Sequence, residues 1–358
     1  MNRIYLSFRN LAVVDLMKNT FFFAAVTILI NSALNVASAQ TNPPTMKAVV
    51  LNEYGGREVL KYQDVPRPEP KQDEILVRVI AAAINPVDTY VRQGMFGKRG
   101  MENGPVILGY DVAGIVEKTG ADAKKFKKGD AVYCYLSVMR GGGYAEFAVA
   151  KESETALKPK NINFVDAAAV PLAATTASQA LIDSGKIDNG QTVLIHGGSG
   201  GVGSFAIQIA KARGAKVIAT ASTAHQSLLK ELGVDQAIDY TTTKFEDVVK
   251  DVDVVLNCVR ADALGRSYAV VKKGGVVVSI TDEPDQTECA KRALQCSRLG
   301  AHPEAKVLDE LTKLIEAGKI KPVVSQTFPL AEASKAHEQI ETHHTLGKIV
   351  LKVADERK

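Results

Sequence analysis

Three glycines carry the clearest chemical signal in the chain. In the run His196-Gly197-Gly198-Ser199-Gly200-Gly201-Val202-Gly203, the residues Gly198, Gly200 and Gly203 stand at G-x-G-x-x-G spacing. An apolar stretch, Thr192-Val193-Leu194-Ile195, precedes them, and a helical pattern through Ala206, Ile207, Ile209 and Ala210 follows, ending near Gly214. Strand, glycine turn and helix in that order put the N–H groups of a helix N-terminus at the mouth of a parallel sheet. Residues without side chains there let a pyrophosphate approach the backbone. A bare glycine motif is also found in plain turns; the flanking strand and helix make this one a dinucleotide site, with Gly198, Ser199, Gly200, Gly201, Val202 and Gly203 as its cradle.

The next strand ends in Thr220-Ala221-Ser222-Thr223-Ala224-His225, with no acid before Glu231. Sites that prefer NAD place Asp or Glu there to bond the ribose 2′-hydroxyl. Without that carboxylate a 2′-phosphate meets no repulsion: Ser222 and Thr223 can donate to it, and His225 or Lys230 can supply charge. NADPH is therefore expected over NADH, although the same residues would also suit a solvated polar loop. Cys258 ends a strand near the expected cofactor edge, where it joins the cofactor-binding set as a small apolar filler. His196, beside the glycines, is expected to pack or hydrogen-bond at its strand end, and His343-His344 to face solvent.

The elements that must position these residues are legible from periodicity. Met46–Leu51, Glu74–Val79 (alternating as a half-buried strand does), Val112–Val116 and Ala131–Tyr135 read as strands, so 46–165 is expected to be mostly β. The character changes near Asp166: Ala167–Val170 and Ala173–Ile182 are helix-prone. Strands and helices then alternate: Lys216–Thr220 and Gln226–Leu232; Ala237–Asp239; Val252–Cys258 and Ala261–Val271; then Val276–Ile280. That alternation indicates βαβ units around a parallel sheet over 166–318. A further helix is expected to start at Pro303, with Val307, Leu308, Leu311, Leu314 and Ile315 on one face, and to end at Gly318. The tail 319–358 returns to mixed strand and helix, so a β region is split around an inserted α/β domain.

Composition bounds the function. The 358 residues, 46% hydrophobic and 23% charged, describe an ordinary globular protein long enough for two domains. A net charge of +4 with no basic run gives no footprint for nucleic acid. Cys134, Cys258, Cys289 and Cys296 form no C-x-x-C pair and no zinc spacing, so buried free thiols are expected. At the N-terminus, Lys18, the apolar run Phe21–Ile30 and Ala37-Ser38-Ala39 compose an export signal over 1–39, cleaved near Ala39, with translation from Met17 giving its compact form. The apolar run is too short to span a bilayer, which needs ~20 residues, so no stable membrane insertion is expected after cleavage. Loss of 1–39 removes three cations and one anion and leaves +2. Export to the periplasm is the expectation; a true start at Met46 would leave the protein cytoplasmic.

Four separated stretches resemble one family. Asn85-Pro86-Val87-Asp88-Thr89-Tyr90-Val91-Arg92-Gln93-Gly94, Leu108-Gly109-Tyr110-Asp111-Val112-Ala113-Gly114, Gly142-Gly143-Tyr144-Ala145-Glu146-Phe147 and the glycine turn are similar to the zinc-independent quinone oxidoreductases of the medium-chain dehydrogenase/reductase superfamily. Thr220–Ala224 and Gly347-Lys348-Ile349-Val350-Leu351 resemble its alkenal reductase branch. The resemblance covers 46–353. It implies an α/β fold in which a GroES-like, β-rich catalytic domain (46–165 and 319–358) carries an inserted Rossmann domain, a doubly wound parallel sheet, at 166–318. NADPH and commonly a homodimer follow from it. So do Asn85, Asp88, Tyr90 and Tyr110 near the nicotinamide, with Tyr240 near the 2′-phosphate and Lys348 in the cofactor set. Relatives often carry lysine where His225 stands, and a neutral imidazole holds a phosphate less strongly.

Zinc-dependent relatives have a cysteine in the first motif and a histidine in the second, where this chain has Asn85 and Tyr110, and 160–190 holds no cysteine. No metal is expected. Alcohol oxidation leans on a Lewis acid, whereas hydride addition to an enal, an enone or a quinone can rely on hydrogen-bond donors at the oxygen where charge collects. Tyr90, Tyr110 and Asn85 are the candidate donors, unless Asn85 and Asp88 merely cap a turn and the tyrosines pack in the core. The competing function is an exported dinucleotide-binding sensor or scaffold with little turnover.

Overall fold

The computed structural model describes residues 44–97, 105–260 and 262–356. The expected export signal and part of the loop Met95–Gly104 lie outside them. Strand β1 (Thr45–Leu51) pairs antiparallel with β2 (Leu60–Pro66) and β4 (Val106–Ile107) in a small sheet. A seven-stranded sheet then takes β3 (Glu74–Ile84), β5 (Asp111–Thr119), β6 (Ala131–Tyr135), β7 (Phe147–Lys151) and β8 (Thr155–Leu157). From the far end of the chain come β15 (Val324–Pro329) and β16 (Lys348–Lys352), and β16 lies antiparallel beside β3.

β3 departs from the half-buried alternation expected of it. Its residues are almost all buried because both faces are covered. Ile75, Val77, Val79, Ala82 and Ile84 enter the core of the β domain, while Ile80, Ala81 and Ala83 enter a second core with Phe164, Ala167 and Ala168. A register shift between Val79 and Ala81 moves the alternation by one residue and lets a single strand serve both cores.

The third sheet is wholly parallel. It comprises β9 (Thr192–His196), β10 (Lys216–Ala221), β11 (Gln236–Asp239), β12 (Val252–Asn257), β13 (Val271–Ser279) and β14 (Gln295–Arg298), ordered β11-β10-β9-β12-β13-β14. Counted from β9 this is 3-2-1-4-5-6, and the chain reverses its direction of winding between β9 and β12. The glycine turn leaves β9 at that switch point and enters the helix Gly201–Ala212.

Several local expectations are corrected. Among the described residues of the segment Ala261–Val271, only Ala263–Ser267 is helical, since Val271 already opens β13. Pro303 stands before the helix, which runs Ala305–Glu316 after Glu304; its buried face is Val307, Leu308, Leu311 and Ile315, and Gly318, with φ +68°, ends it. The helix expected at Ala173–Ile182 begins at Pro171, and after Ser178 its turns widen through Gln179–Ser184. Cys289 and Cys296 are not free thiols. The short helix Gln286–Lys291 brings Cys289 against β14, where the two form a disulfide with Cα atoms 6.2 Å apart. Cys134 and Cys258 remain free. No helix among the described residues is long and apolar enough to cross a membrane.

Candidate active site

Each glycine of the turn has its own reason to be there. A Cβ on Gly203 would stand 2.1 Å from the Gly197 oxygen, so the helix can pack on the strand only without one. A Cβ on Gly198 would press on Ala219 and Leu229 at 2.9 Å. Gly200 meets nothing nearer than 3.4 Å, which leaves the backbone open on the side a pyrophosphate would take. A Cβ on Gly201 would lie 3.0 Å from the Lys348 side chain. Among the buried side-chain atoms that lack partners are the Thr175 hydroxyl and Asn257 Oδ1, and Asn257 ends β12 directly beside His196. The open cradle, the twelve-residue helix behind it and these orphaned atoms fit a bound dinucleotide.

Around the expected 2′-phosphate, Ser199 Oγ and His225 Nδ1 are 3.2 Å apart, while Ser222 is half-buried and Tyr240 is exposed. Thr223 donates to Asp239 Oδ2 at 2.6 Å, and Thr241 also bonds that carboxylate. Reading along the chain after Thr220 missed Asp239, because it arrives from the end of the neighbouring strand. Val202 is half-buried in the first turn of its helix. Cys258 sits beside Gly197, with its thiol pushed up to about 12 by burial and therefore neutral. His196 is buried between Thr220 Oγ1 (3.2 Å) and Ser267 Oγ (2.9 Å), against the Phe245 ring. Burial, then the Arg266 charge, lowers it to about 4, so the imidazole is neutral and structural.

The other wall comes from the turn after β3. Ile84-Asn85-Pro86 stops the strand and Pro86 opens the helix Pro86–Arg92. Asp88, fully buried, accepts from the Asn85 N–H at 2.8 Å and from the Gly109 N–H at 3.0 Å. Burial pushes its carboxyl up to about 7 against those two hydrogen bonds, with the Asp111 charge adding to the rise. Asn85 spends its side chain elsewhere: Nδ2 donates to Asp111 Oδ2 at 2.8 Å, and Oδ1 accepts from Lys348 Nζ. Lys348 Nζ also bonds Asp111 Oδ2 at 2.9 Å, and Asp111 Oδ1 accepts from the Leu172 N–H. Lys348 is 4% and Asp111 0% exposed, so this ion pair is interior. Asp111 is the member of the cluster that reading by motif left without a role.

Gly347-Lys348 ties the two walls together. The Gly347 N–H donates to the Ser199 oxygen at 2.8 Å, bridging β16 to the glycine turn, while Lys348 crosses Gly201 to reach Asn85. Tyr90 lies half-buried on the Pro86–Arg92 helix and accepts from Arg260 Nη2 at 3.3 Å; Arg260 comes from the loop after β12 and also pairs with Asp282. Tyr110 is 1% exposed, its ring in the apolar core with Leu108 and Tyr144. The structure thus ties Asn85, Asp88, Asp111 and Lys348 into one cluster, sets Tyr90 against Arg260 on the helix that follows Asn85, and places Tyr110 in the core.

A parallel 3-2-1-4-5-6 sheet whose glycine turn is pinned to a curled antiparallel sheet defines a two-domain dinucleotide oxidoreductase fold. Residues 71–160 match the alcohol dehydrogenase GroES-like domain family and residues 232–351 the zinc-binding dehydrogenase family. An NADPH-dependent alkenal/one oxidoreductase of Arabidopsis thaliana is 41% identical over 335 residues, covering 90% of this chain and 83% of that protein. The solved quinone oxidoreductase of Coxiella burnetii superposes with a TM-score of 0.81 at 34% identity, over 87% of this chain and all of that one. A mycobacterial structure complexed with NADPH gives 0.78 at 30% identity, over 86% and all of the respective chains. The chain belongs to the medium-chain dehydrogenase/reductase superfamily, in the branch of the alkenal/one and quinone oxidoreductases. The zinc of the second family's description finds no matching donor set here. Where the first ligands would stand the chain offers an amide and a phenol, and the nearby carboxylate of Asp111 is already bonded to the Lys348 ammonium. Among the described residues no group of three or more His, Cys, Asp or Glu is placed to hold a metal ion.

Proposed function

We propose that this protein is an NADPH-dependent oxidoreductase that reduces quinones or the conjugated double bond of α,β-unsaturated carbonyls, with side chains polarising the substrate oxygen. The observation that carries the proposal is the junction itself: one residue pair, Gly347-Lys348, joins an open dinucleotide cradle to a buried polar cluster that lacks a metal donor set. The NADPH-dependent and quinone-reducing relatives support it. When bound, NADPH supplies a hydride to the β-carbon or to the quinone, and charge then collects on an oxygen. Tyr90 is the donor for that oxygen. The Arg260 guanidinium donates to the phenol oxygen and leaves the phenol's own proton for the substrate; one well-aimed donor is worth about 2.7–4 kcal/mol. Asn85, held by Asp111 and Lys348, sets the floor beside it. The 2′-phosphate falls to Ser222, His225 and Tyr240, since Thr223 gives its hydroxyl proton to Asp239. NADPH oxidation followed with an enal, an enone and a quinone tests this reading: turnover of at least one supports it, and NADPH binding without turnover of any would leave a sensor or scaffold.

Export to the periplasm is part of the proposal, supported by the signal-like segment 1–39 and by the Cys289–Cys296 disulfide, a bond that persists in oxidising compartments. A mature chain beginning near Gln40 is expected; one beginning at Met46 would contradict export. A homodimer is proposed from the family, with β14, paired on one side only among the described residues, as an edge open to a second copy. Sedimentation as a monomer would contradict it.

A further inference from the structure

The helix Ala333–Glu341 lies far along the chain from the candidate active site, yet it buries a histidine beneath it. His337 is 0% exposed. Arg92, the last residue of the Pro86–Arg92 helix and itself 1% exposed, places Nη1 3.4 Å from His337 Nδ1 and Nη2 on Glu341. A guanidinium only donates, so Nδ1 must accept and the ring proton must sit on Nε2. Burial, then the Arg92 charge, lowers the imidazole to about 3, which keeps it neutral. On its other side, Nε2 is 3.3 Å from the Tyr144 hydroxyl, with the two rings edge to face. Donation from Nε2–H fills the phenol's acceptor position and fixes where the Tyr144 ring lies.

The chain of donors therefore has one direction: Arg92 to His337 and His337 to Tyr144. Asp88 is the carboxylate that holds the Asn85 and Gly109 amides. The Tyr144 ring packs on Gly109 so closely that a Cβ there would stand 2.5 Å from Tyr144 Cδ1, and Gly109, with φ +93°, directly precedes Tyr110. A rotation of Tyr144 would press on Gly109 and shift the turn whose N–H Asp88 accepts.

We propose that His337 is a positioning residue for the reductase site: held in its Nε2–H tautomer by Arg92, it orients Tyr144 against Gly109 and so fixes the Gly109-Tyr110 turn that Asp88 holds beside Asn85. The kinetic part of this inference rests on the reductase reading; the tautomer does not. Three variants separate its terms. His337→Phe removes both nitrogens and keeps a ring, His337→Gln keeps one acceptor and one donor, and Tyr144→Phe removes only the hydroxyl. At about pH 8, where the carboxyl of Asp88 is ionised, His337→Phe and Tyr144→Phe should lower kcat with an enal by about 10- to 100-fold, as small misplacements do, with Kd for NADPH within about twofold. His337→Gln should recover most of the loss. Unchanged kcat in folded His337→Phe or Tyr144→Phe, no rescue by Gln, or NADPH affinity falling in step with kcat would overturn the proposal, and Tyr144→Phe decides if His337→Phe does not fold. Nitrogen-15 spectra of the wild-type imidazoles give a readout independent of turnover. His337 should show the Nε2–H tautomer, whereas an Nδ1–H or doubly protonated ring would overturn the proposal whatever the enzyme reduces. Absence of turnover in the wild type would instead count against the reductase reading.

Discussion

At Tyr90 a single hydroxyl separates two accounts of the cleft. If its phenol proton stabilises the substrate oxygen, Tyr90→Phe should cut kcat by about 10²-fold or more, the cost of one missing oxyanion donor, with little change in Kd for NADPH. Equal losses in both would mark Tyr90 as a cofactor or packing residue. Asp88 makes a prediction about pH. Its folded value is raised, to about 7, so the folded state holds a proton that the unfolded chain has already released. Between about pH 4 and 7 that group makes stability fall as pH rises, by at most roughly 4 kcal/mol, and above that window its contribution is constant. Relative to Asp88→Asn, which cannot ionise, the wild type should lose stability across this window in denaturant titrations; parallel curves would contradict the burial cost assigned to Asp88. Asn85, Asp88 and Tyr90 were legible in the sequence because they share one ten-residue motif. Asp111 was not, because its partners Lys348 and Leu172 lie 237 and 61 residues away, and only the folded chain shows that its carboxylate joins them.

Elements set what those residues can reach, and the glycine turn is the most exacting of them. Gly203→Ala puts a methyl group 2.1 Å from the Gly197 oxygen and should lower the melting temperature and NADPH affinity together, since helix and strand must separate. Gly200→Ala meets nothing within 3.4 Å and should fold with a near-normal melting temperature while binding NADPH about tenfold more weakly, because the methyl stands where the pyrophosphate approaches. The reverse pattern would mean that the cradle lies elsewhere. The alternation from β9 to β12 was legible because each element's apolar period is local. β14 was not: Gln295-Cys296-Ser297-Arg298 has no apolar run, and it is held by its ladder to β13 and by the disulfide to Cys289. The expected helix over Ala261–Val271 ran too long because Val270-Val271 extends the apolar pattern across a strand start that the ladder to β12 dictates.

Over the whole molecule, an early strand and the last described strand meet where β16 pairs with β3. The resemblance anticipated a β-rich domain split around a parallel one, and pairing of β16 with β3 brings Lys348 beneath Asn85. Composition could not show that this lysine would be buried in an ion pair while its stem crosses the glycine turn. Under the proposed function the cradle holds the hydride donor and Tyr90, bonded by Arg260, meets the substrate oxygen. The most direct test is reduction of a simple enone with NADPH deuterated at the transferable position of the nicotinamide, with the product examined by mass spectrometry and NMR. Deuterium on the β-carbon of a saturated ketone is the predicted result. Deuterium on the carbonyl carbon of an unsaturated alcohol would contradict it, as would no incorporation from bound NADPH together with no reduction of a quinone.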